Sequence, residues 1–331
     1  MLEHGGRRRA AARQFGIPEA DWLDLSTGIN PAGYPVPPIP DDVWNRLPED
    51  DDGLLAAAAR CYGSDRLVVL AGSQIAIQSL PWLVRRGRVG VLAPCYAEHA
   101  HHWTRAGHDV VPVIASALVD AANGCDVLVL CNPNNPDGRQ FEPDVLLAVA
   151  RALADRDGLL VVDEAFGDAT PALSLASLAG GPQAPNVVVL RSLGKFYGLA
   201  GARVGFAIAS PARVEALREM AGPWPVSGPA RFVAQRALAD TAWQASARDT
   251  LWQSATRLAA LLAPLATFDG PPVATALFVW LPVADPLTYY THFARQGILV
   301  RQFPEFMGLR FGLPGDATAW RRLAAAVETL R

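Results

Sequence analysis

The feature that most limits what this chain can fold into is a series of short apolar runs that do not alternate with polar residues. Leu67–Leu70, Val89–Leu92, Val110–Ile114, Val127–Cys131, Leu159–Val162, Val187–Ser192 and Val204–Ile208 are of this kind. A strand with one wet face carries a polar residue at every second position, whereas a strand covered on both faces does not. Gly53–Tyr62, Ser73–Val84, Glu98–Ala106 and Leu146–Asp155 have helical character and lie between the runs. Helices alternating with doubly covered strands predict an α/β fold built on a mostly parallel central sheet.

The ends of the chain differ from this middle. Residues 1–45 read as an N-terminal arm, with a short helix over 5–15, an extended piece at Asp21–Leu25 and a proline-rich stretch from Pro31 to Pro40. That stretch cannot form a helix or a central strand. Gly222–Gly228 breaks the pattern and suggests a boundary. Residues 46–225 then form a large domain and 226–331 a small α+β domain. The latter is expected to hold a long helical segment over 229–264, strands at Ala276–Leu281, Ile298–Arg301 and Gly308–Gly312, and a closing helix from Ala317 to Leu330.

Composition excludes several classes. Apolar residues make up 51% and charged residues 18%, which suits a buried core and not a disordered chain. The net charge of −3 creates no field that would draw nucleic acid or an anionic membrane. No apolar run approaches the roughly 20 residues a membrane helix needs. The start of the chain carries arginines with no apolar segment behind them, unlike a signal peptide. Cys61, Cys95, Cys125 and Cys131 form no C-x-x-C pair, so reduced thiols and a cytoplasmic location are expected.

Ligands of such folds gather at the carboxyl ends of the strands, and four features fall there. Ala71-Gly72-Ser73-Gln74 follows a strand and opens a helix, which is either an anion site or an ordinary cap by Ser73. Cys131-Asn132-Pro133-Asn134-Asn135-Pro136-Asp137-Gly138 is either a rigid turn or a turn that also aims an Asn at a ligand. Leu159 to Val162 runs into Asp163, which is either a surface acid or a buried carboxylate paired with a cation. The most informative is Ser192-Leu193-Gly194-Lys195-Phe196-Tyr197-Gly198-Leu199-Ala200-Gly201-Ala202-Arg203. Of 29 basic residues, Lys195 is the sole lysine. An arginine stays protonated and cannot form a Schiff base. Lys195 is therefore either one survivor of a drift to arginine or a functional amine.

Other clusters read as structural. His99, His101 and His102 suggest a partly exposed helix, with no partner spaced to complete a metal site. Arg7, Arg8, Arg9 and Arg13 solvate the arm or attract a phosphorylated substrate. Asp50-Asp51-Asp52 precedes a helix, where the dipole favours acids.

Taken together and in order, the Asn-Asn-Pro, Asp-x-Ala and Ser-x-x-Lys segments resemble pyridoxal-5'-phosphate (PLP) enzymes of the aminotransferase fold type I. The resemblance spans essentially the whole chain. More closely, His4-Gly5-Gly6, Asp24-Leu25-Ser26-Thr27-Gly28-Ile29-Asn30-Pro31 and Gly194 to Gly201 resemble the threonine-phosphate decarboxylases of cobalamin biosynthesis, relatives of the histidinol-phosphate aminotransferases.

The resemblance implies roles. Lys195 matches the Schiff-base lysine, Asp163 the carboxylate on the pyridine nitrogen, Asn135 a donor to the ring's phenolic oxygen and Tyr96 an aromatic stacked on the ring. Gly72, Ser73, Gln74, Ser192 and Arg203 match the phosphate cradle. Arg310 matches the arginine that holds the substrate carboxylate, where a bidentate fork suits it. His4 matches a substrate-phosphate contact and Asn30 a substrate-side contact. No metal is implied. A homodimer acting on a small phosphorylated amino acid is. Two positions depart from aminotransferase relatives: Phe166 and Leu47 stand where many carry tyrosine. Threonine-phosphate decarboxylation, histidinol-phosphate-type transamination and a non-catalytic PLP-binding role all remain as readings, in that order.

Overall fold

The computed structural model describes residues 4–330. Contacts divide the chain into two compact units. One comprises Met1–Ala32, Pro136–Gly138 and Ala245–Arg331, and the other Gly33–Asn135 and Arg139–Gln244. Where the sequence suggested divisions at 45 and 226, the contacts divide the chain at 32 and 244. The strands in chain order are β1 (Leu23–Asp24), β2 (Leu67–Leu70), β3 (Arg88–Leu92), β4 (Asp109–Val113), β5 (Val127–Cys131), β6 (Leu159–Asp163) and β7 (Val187–Ser192). They continue with β8 (Gly205–Ile208), β9 (Val273–Ala274), β10 (Phe278–Pro282), β11 (Ile298–Leu299), β12 (Arg301–Phe303) and β13 (Gly308–Gly312).

The larger unit is built on a seven-stranded sheet in the order β2-β8-β7-β6-β5-β3-β4. Pairing is parallel from β4 through β7, and β8 alone runs against its neighbours. Both faces are dry, as the unbroken apolar runs require. Val127, Val129, Val161 and Val188 pack on one face with Ala76, Ile77, Leu80, Trp103 and Leu217. Leu128, Leu130, Leu160, Val162 and Val189, one residue out of phase, are also at most 1% exposed. Each such side chain contributes about 1.5–3 kcal/mol on burial. The register sets Cys131 beside Asp163 and Asp163 beside Leu190, so the carboxyl ends of β5, β6 and β7 are neighbours.

Several helices depart from expectation for identifiable reasons. The stretch 229–264 forms two helices, Gly228–Ala239 and Thr241–Leu262. Asp240 leaves the helical region, and its side chain accepts from the Trp243 N–H at 2.9 Å. Asp50 and Asp52 do more than favour a helix end. Asp52 grips the buried Arg231 through two oxygens at 2.6 and 2.9 Å, and Asp50 lies 3.2 Å from the same guanidinium.

The smaller unit carries the antiparallel sheet β12-β13-β10-β9 and the parallel pair β1-β11. The segment read as an arm supplies the helix Arg8–Phe15 and β1 to this unit. Ala11 and Trp22 pack there with Ala294 and Leu299. Among the described residues, no helix is long and apolar enough to cross a membrane.

Candidate active site

The larger unit gathers most of the residues singled out in the sequence. Asp163 ends β6 and is 4% exposed. One of its oxygens accepts from the Ala165 N–H at 3.0 Å, and the other lies 3.0 Å from His99 Nε2. Asp163 is therefore a buried, partnered carboxylate and not a surface acid. This corrects the reading of the histidine helix: His99 is 1% and His102 7% exposed. Both occupy the inner face of Ala97–Arg105, and His102 Nε2 sits 2.9 Å from Glu98. Burial alone would depress the His99 pKa, but hydrogen bonds to Asp163 and Cys131 outweigh it and push the group up to about 10. Ligand atoms of His99, Cys131 and Asp163 lie within 4.8 Å of one another, a proximity that the His99–Asp163 bond accounts for.

Lys195 follows β7 in a loop closed by the Leu199 N–H donating to the Leu193 carbonyl at 3.1 Å. Its Nζ lies 5.5 Å from the centroid of the Phe166 ring, so the lysine and the residue three places beyond Asp163 meet. Ser192 accepts from the Gly194 N–H at 3.3 Å, which fixes the start of the loop.

A second group forms where β2 enters the helix Ser73–Ser79. Gly72, and not Ser73, occupies the cap position, at φ +82°, and no side chain caps the helix. A Cβ at Gly72 would come within 2.6 Å of Arg203 Nη2, and one at Gly205 would collide with the Ser73 backbone nitrogen. Glycine is thus required for close approach of these three segments. Arg203 is itself left-handed, at φ +53°. Gln74 links onward: Tyr96 Oη donates to Gln74 Oε1 at 3.4 Å, and Gln74 Nε2 donates to Glu98 at 2.9 Å. Tyr96, Gln74, Glu98 and His102 form one chain.

The Asn-rich loop divides its labour. Asn132 donates to the Phe141 carbonyl and accepts from the Phe141 N–H, each at 3.0 Å. Asn134 donates to the Pro94 carbonyl at 2.9 Å. These two lock the turn, while Asn135 is half-buried.

Beneath this surface lies a charged cluster that the sequence reading missed. Arg191, on β7, is 3.4 Å from Glu164 and 3.9 Å from Asp168, with its guanidinium 4.7 Å from the Tyr62 ring centroid. Glu164 also accepts from Ser174 Oγ at 2.5 Å and the Leu175 N–H at 2.8 Å. Burial raises the Glu164 carboxyl pKa, and Arg191 opposes that rise. The ion pair joins the residue after Asp163 to the strand leading to Lys195. Arg191→Ala would strand two buried carboxylates and should cost about 3–5 kcal/mol in urea unfolding. A loss below about 1 kcal/mol would mean the acids simply take up protons.

The smaller unit holds the other predicted contacts. Arg310, on β13, is 7% exposed, donates to the Ser26 carbonyl at 3.0 Å and lies over Phe278 at 5.2 Å. The Gly6 N–H donates to Ser26 Oγ at 2.7 Å. His4, Arg7, Ser26, Arg301 and Gln302 help line a cavity of about 270 Å³. Asn30 is buried, and its Oδ1 accepts from the Ala32 N–H at 2.9 Å.

Residues 48–327 match the model of the family aminotransferase class I and II. The chain belongs to that family, and the fold is PLP fold type I, with a mostly parallel sheet and a smaller antiparallel one. It is 51% identical over 329 residues to a threonine-phosphate decarboxylase of Pseudomonas aeruginosa, covering 99% of this chain and 97% of the relative. It is 40% identical over 339 residues to a threonine-phosphate decarboxylase of Sinorhizobium sp, covering 100% and 98%. Among solved structures, histidinol-phosphate aminotransferase from Sinorhizobium meliloti in complex with pyridoxal-5'-phosphate superposes with a TM-score of 0.79 at 23% identity, covering 100% of this chain and 96% of that one.

Proposed function

We propose that the protein binds PLP in its larger unit and decarboxylates L-threonine O-3-phosphate to (R)-1-amino-2-propanol O-phosphate, a building block of the cobalamin side chain. The observation that carries substrate and reaction is the 51% identity, end to end, to the Pseudomonas decarboxylase. The residues present fit the cofactor. Lys195 is the only side-chain amine available to its aldehyde. Asp163 supplies a buried carboxylate for a ring nitrogen, backed by His99. Gly72, Ser73 and Arg203 converge where a Cβ would close the space, which suits a phosphate held by backbone N–H groups and a guanidinium. Gln74, Ser192, Asn135 and Tyr96 complete the proposed contacts. Bound PLP would supply an electron sink for the pair released when a bond at Cα breaks.

The chain's own residues must choose which bond breaks. The cleaved bond has to stand perpendicular to the cofactor ring, so the carboxylate needs a fixed grip. Arg310 is the proposed grip: its position is set by Ser26 and Phe278, so little rotamer freedom is lost on binding. His4 is proposed to contact the substrate phosphate and Asn30 another part of the substrate. The deciding experiment incubates purified holoenzyme with threonine phosphate and no 2-oxo acid. Stoichiometric CO2 and the amino-propanol phosphate are expected. Conversion of the cofactor to its amine form, or efficient transfer from glutamate to imidazole-acetol phosphate, would establish a transaminase instead. Unphosphorylated threonine should react poorly, because a pocket built for a dianion is left with unpaired donors.

The cytoplasm and a homodimer complete the proposal. Trp44, Leu47 and Trp224 are 63%, 63% and 56% exposed on the larger unit, large apolar groups that a second copy would cover. Light scattering should give twice the chain mass, and a fully active monomer would refute the dimer.

A further inference from the structure

Cys95 and Cys131 occupy a position that nothing in the proposed reaction uses. Their sulfurs are 3.5 Å apart. Cys131 ends β5 and is 3% exposed, while Cys95 is half-buried, just ahead of Tyr96 and the helix Ala97–Arg105. The two segments are already fastened together by the Asn134 side chain donating to the Pro94 carbonyl. Forming a disulfide requires the sulfurs to close by about 1.5 Å, to roughly 2.05 Å. Cys61 instead faces Tyr197 Oη at 3.7 Å, and Cys125 is buried just before the start of β5, at the end opposite Cys131.

We infer that Cys95 and Cys131 form a covalent modification site, a dithiol that hydroperoxides convert reversibly into an intrachain disulfide at the edge of the cofactor seat. The steps balance. The Cys95 sulfur, the more accessible of the two, takes one oxygen from the peroxide and becomes a sulfenic acid, releasing water or an alcohol. The Cys131 sulfur then bonds to the Cys95 sulfur, and the hydroxyl leaves with the Cys131 proton as water. Two thiols are oxidised and one peroxide is reduced. A thiol reductant reverses the reaction by exchange. The new bond would tie the residue preceding Tyr96 to the sulfur grouped with His99 and Asp163. The tie adds a covalent link between two proposed cofactor contacts, Tyr96 and Asp163, that the reduced protein joins only through noncovalent contacts with His99.

The test treats purified holoenzyme with hydrogen peroxide and maps its peptides without reduction. Cleavage before Asp126 separates Cys125 from Cys131, so the partner is unambiguous. A Cys95–Cys131 crosslink, two hydrogens lighter than the reduced pair and reversed by dithiothreitol, is expected. The cofactor's visible band should shift on oxidation and return on reduction. Cys95→Ser should give no crosslink and no shift. Sulfinic acid at Cys95 without a crosslink, a bond to Cys61 or Cys125, or thiols that stay reduced while the exposed Met220 oxidises would each overturn the inference. The mapping needs no substrate, so its failure and that of the proposed activity are read separately.

Discussion

Lys195→Ala should lose the visible band of the lysine-bound cofactor, while far-UV circular dichroism and the urea midpoint stay close to those of the parent. The prediction is unusually clean because the chain has no other lysine to substitute for the lost amine. Its 28 arginines cannot condense with an aldehyde, since their guanidinium groups stay protonated. Folding should tolerate the change. Lys195 is half-buried, and its loop is held by backbone bonds from Leu199 to Leu193 and from Gly198 to Lys195 that alanine retains. Truncating this half-buried side chain should cost about 1 kcal/mol. Borohydride reduction followed by intact-mass measurement provides the check. The parent should gain one reduced cofactor and the variant none. A cofactor-sized mass that persists on the variant would remove Lys195 from the reading.

What was legible in the sequence follows from what governs each element. β2, β5 and β7 lie where the apolar runs placed them, because a strand buried on both faces is specified by its own residues. The helices Pro211–Ala221 and Pro286–Arg295 lie outside the pattern of apolar runs, and their signal in the sequence is the proline that begins each one after Ser210 or Asp285. The break at Asp240 carried a weaker signal, an Asp able to cap the next helix. The site divides in the same way. Lys195 and Asp163 stand at strand ends, where a local reading suffices. His99 pairs with a residue 64 positions away, and Arg191 with Glu164 and Asp168 across two strands. Such pairings depend on strand order, which no local spacing encodes. The histidines of Ala97–Arg105 looked like a wet helix face because a polar residue buried by a distant partner cannot be told from an exposed one by periodicity.

Asp163→Asn should lower kcat on the order of 10²–10³-fold with little change in fold, and His99 shows why the two effects separate. Asparagine preserves the shape of the side chain and can still meet the Ala165 N–H and His99 Nε2, so β6 keeps its end. It carries no charge. The proposed partner of the ring nitrogen is lost, and with it a fixed electrostatic contact of the kind whose removal costs factors of this size. The same change must appear at His99. In the parent, burial disfavours the charged imidazole, but Asp163 and Cys131 overcome it and hold the pKa at about 10. A pKa raised in the folded state means that the pair contributes stability fully below the unfolded value of about 6.5, and loses it as pH climbs through about 10. In Asp163→Asn the burial penalty stands unopposed by a carboxylate, so the His99 pKa should fall and the parent's alkaline loss of stability should flatten. NMR titration of His99, beside urea midpoints measured from neutral to alkaline pH, reads both. Near-parental turnover in Asp163→Asn would make Asp163 a structural anchor for His99. An unmoved His99 titration would show instead that Cys131 and the surrounding helix, not the carboxylate, set its charge.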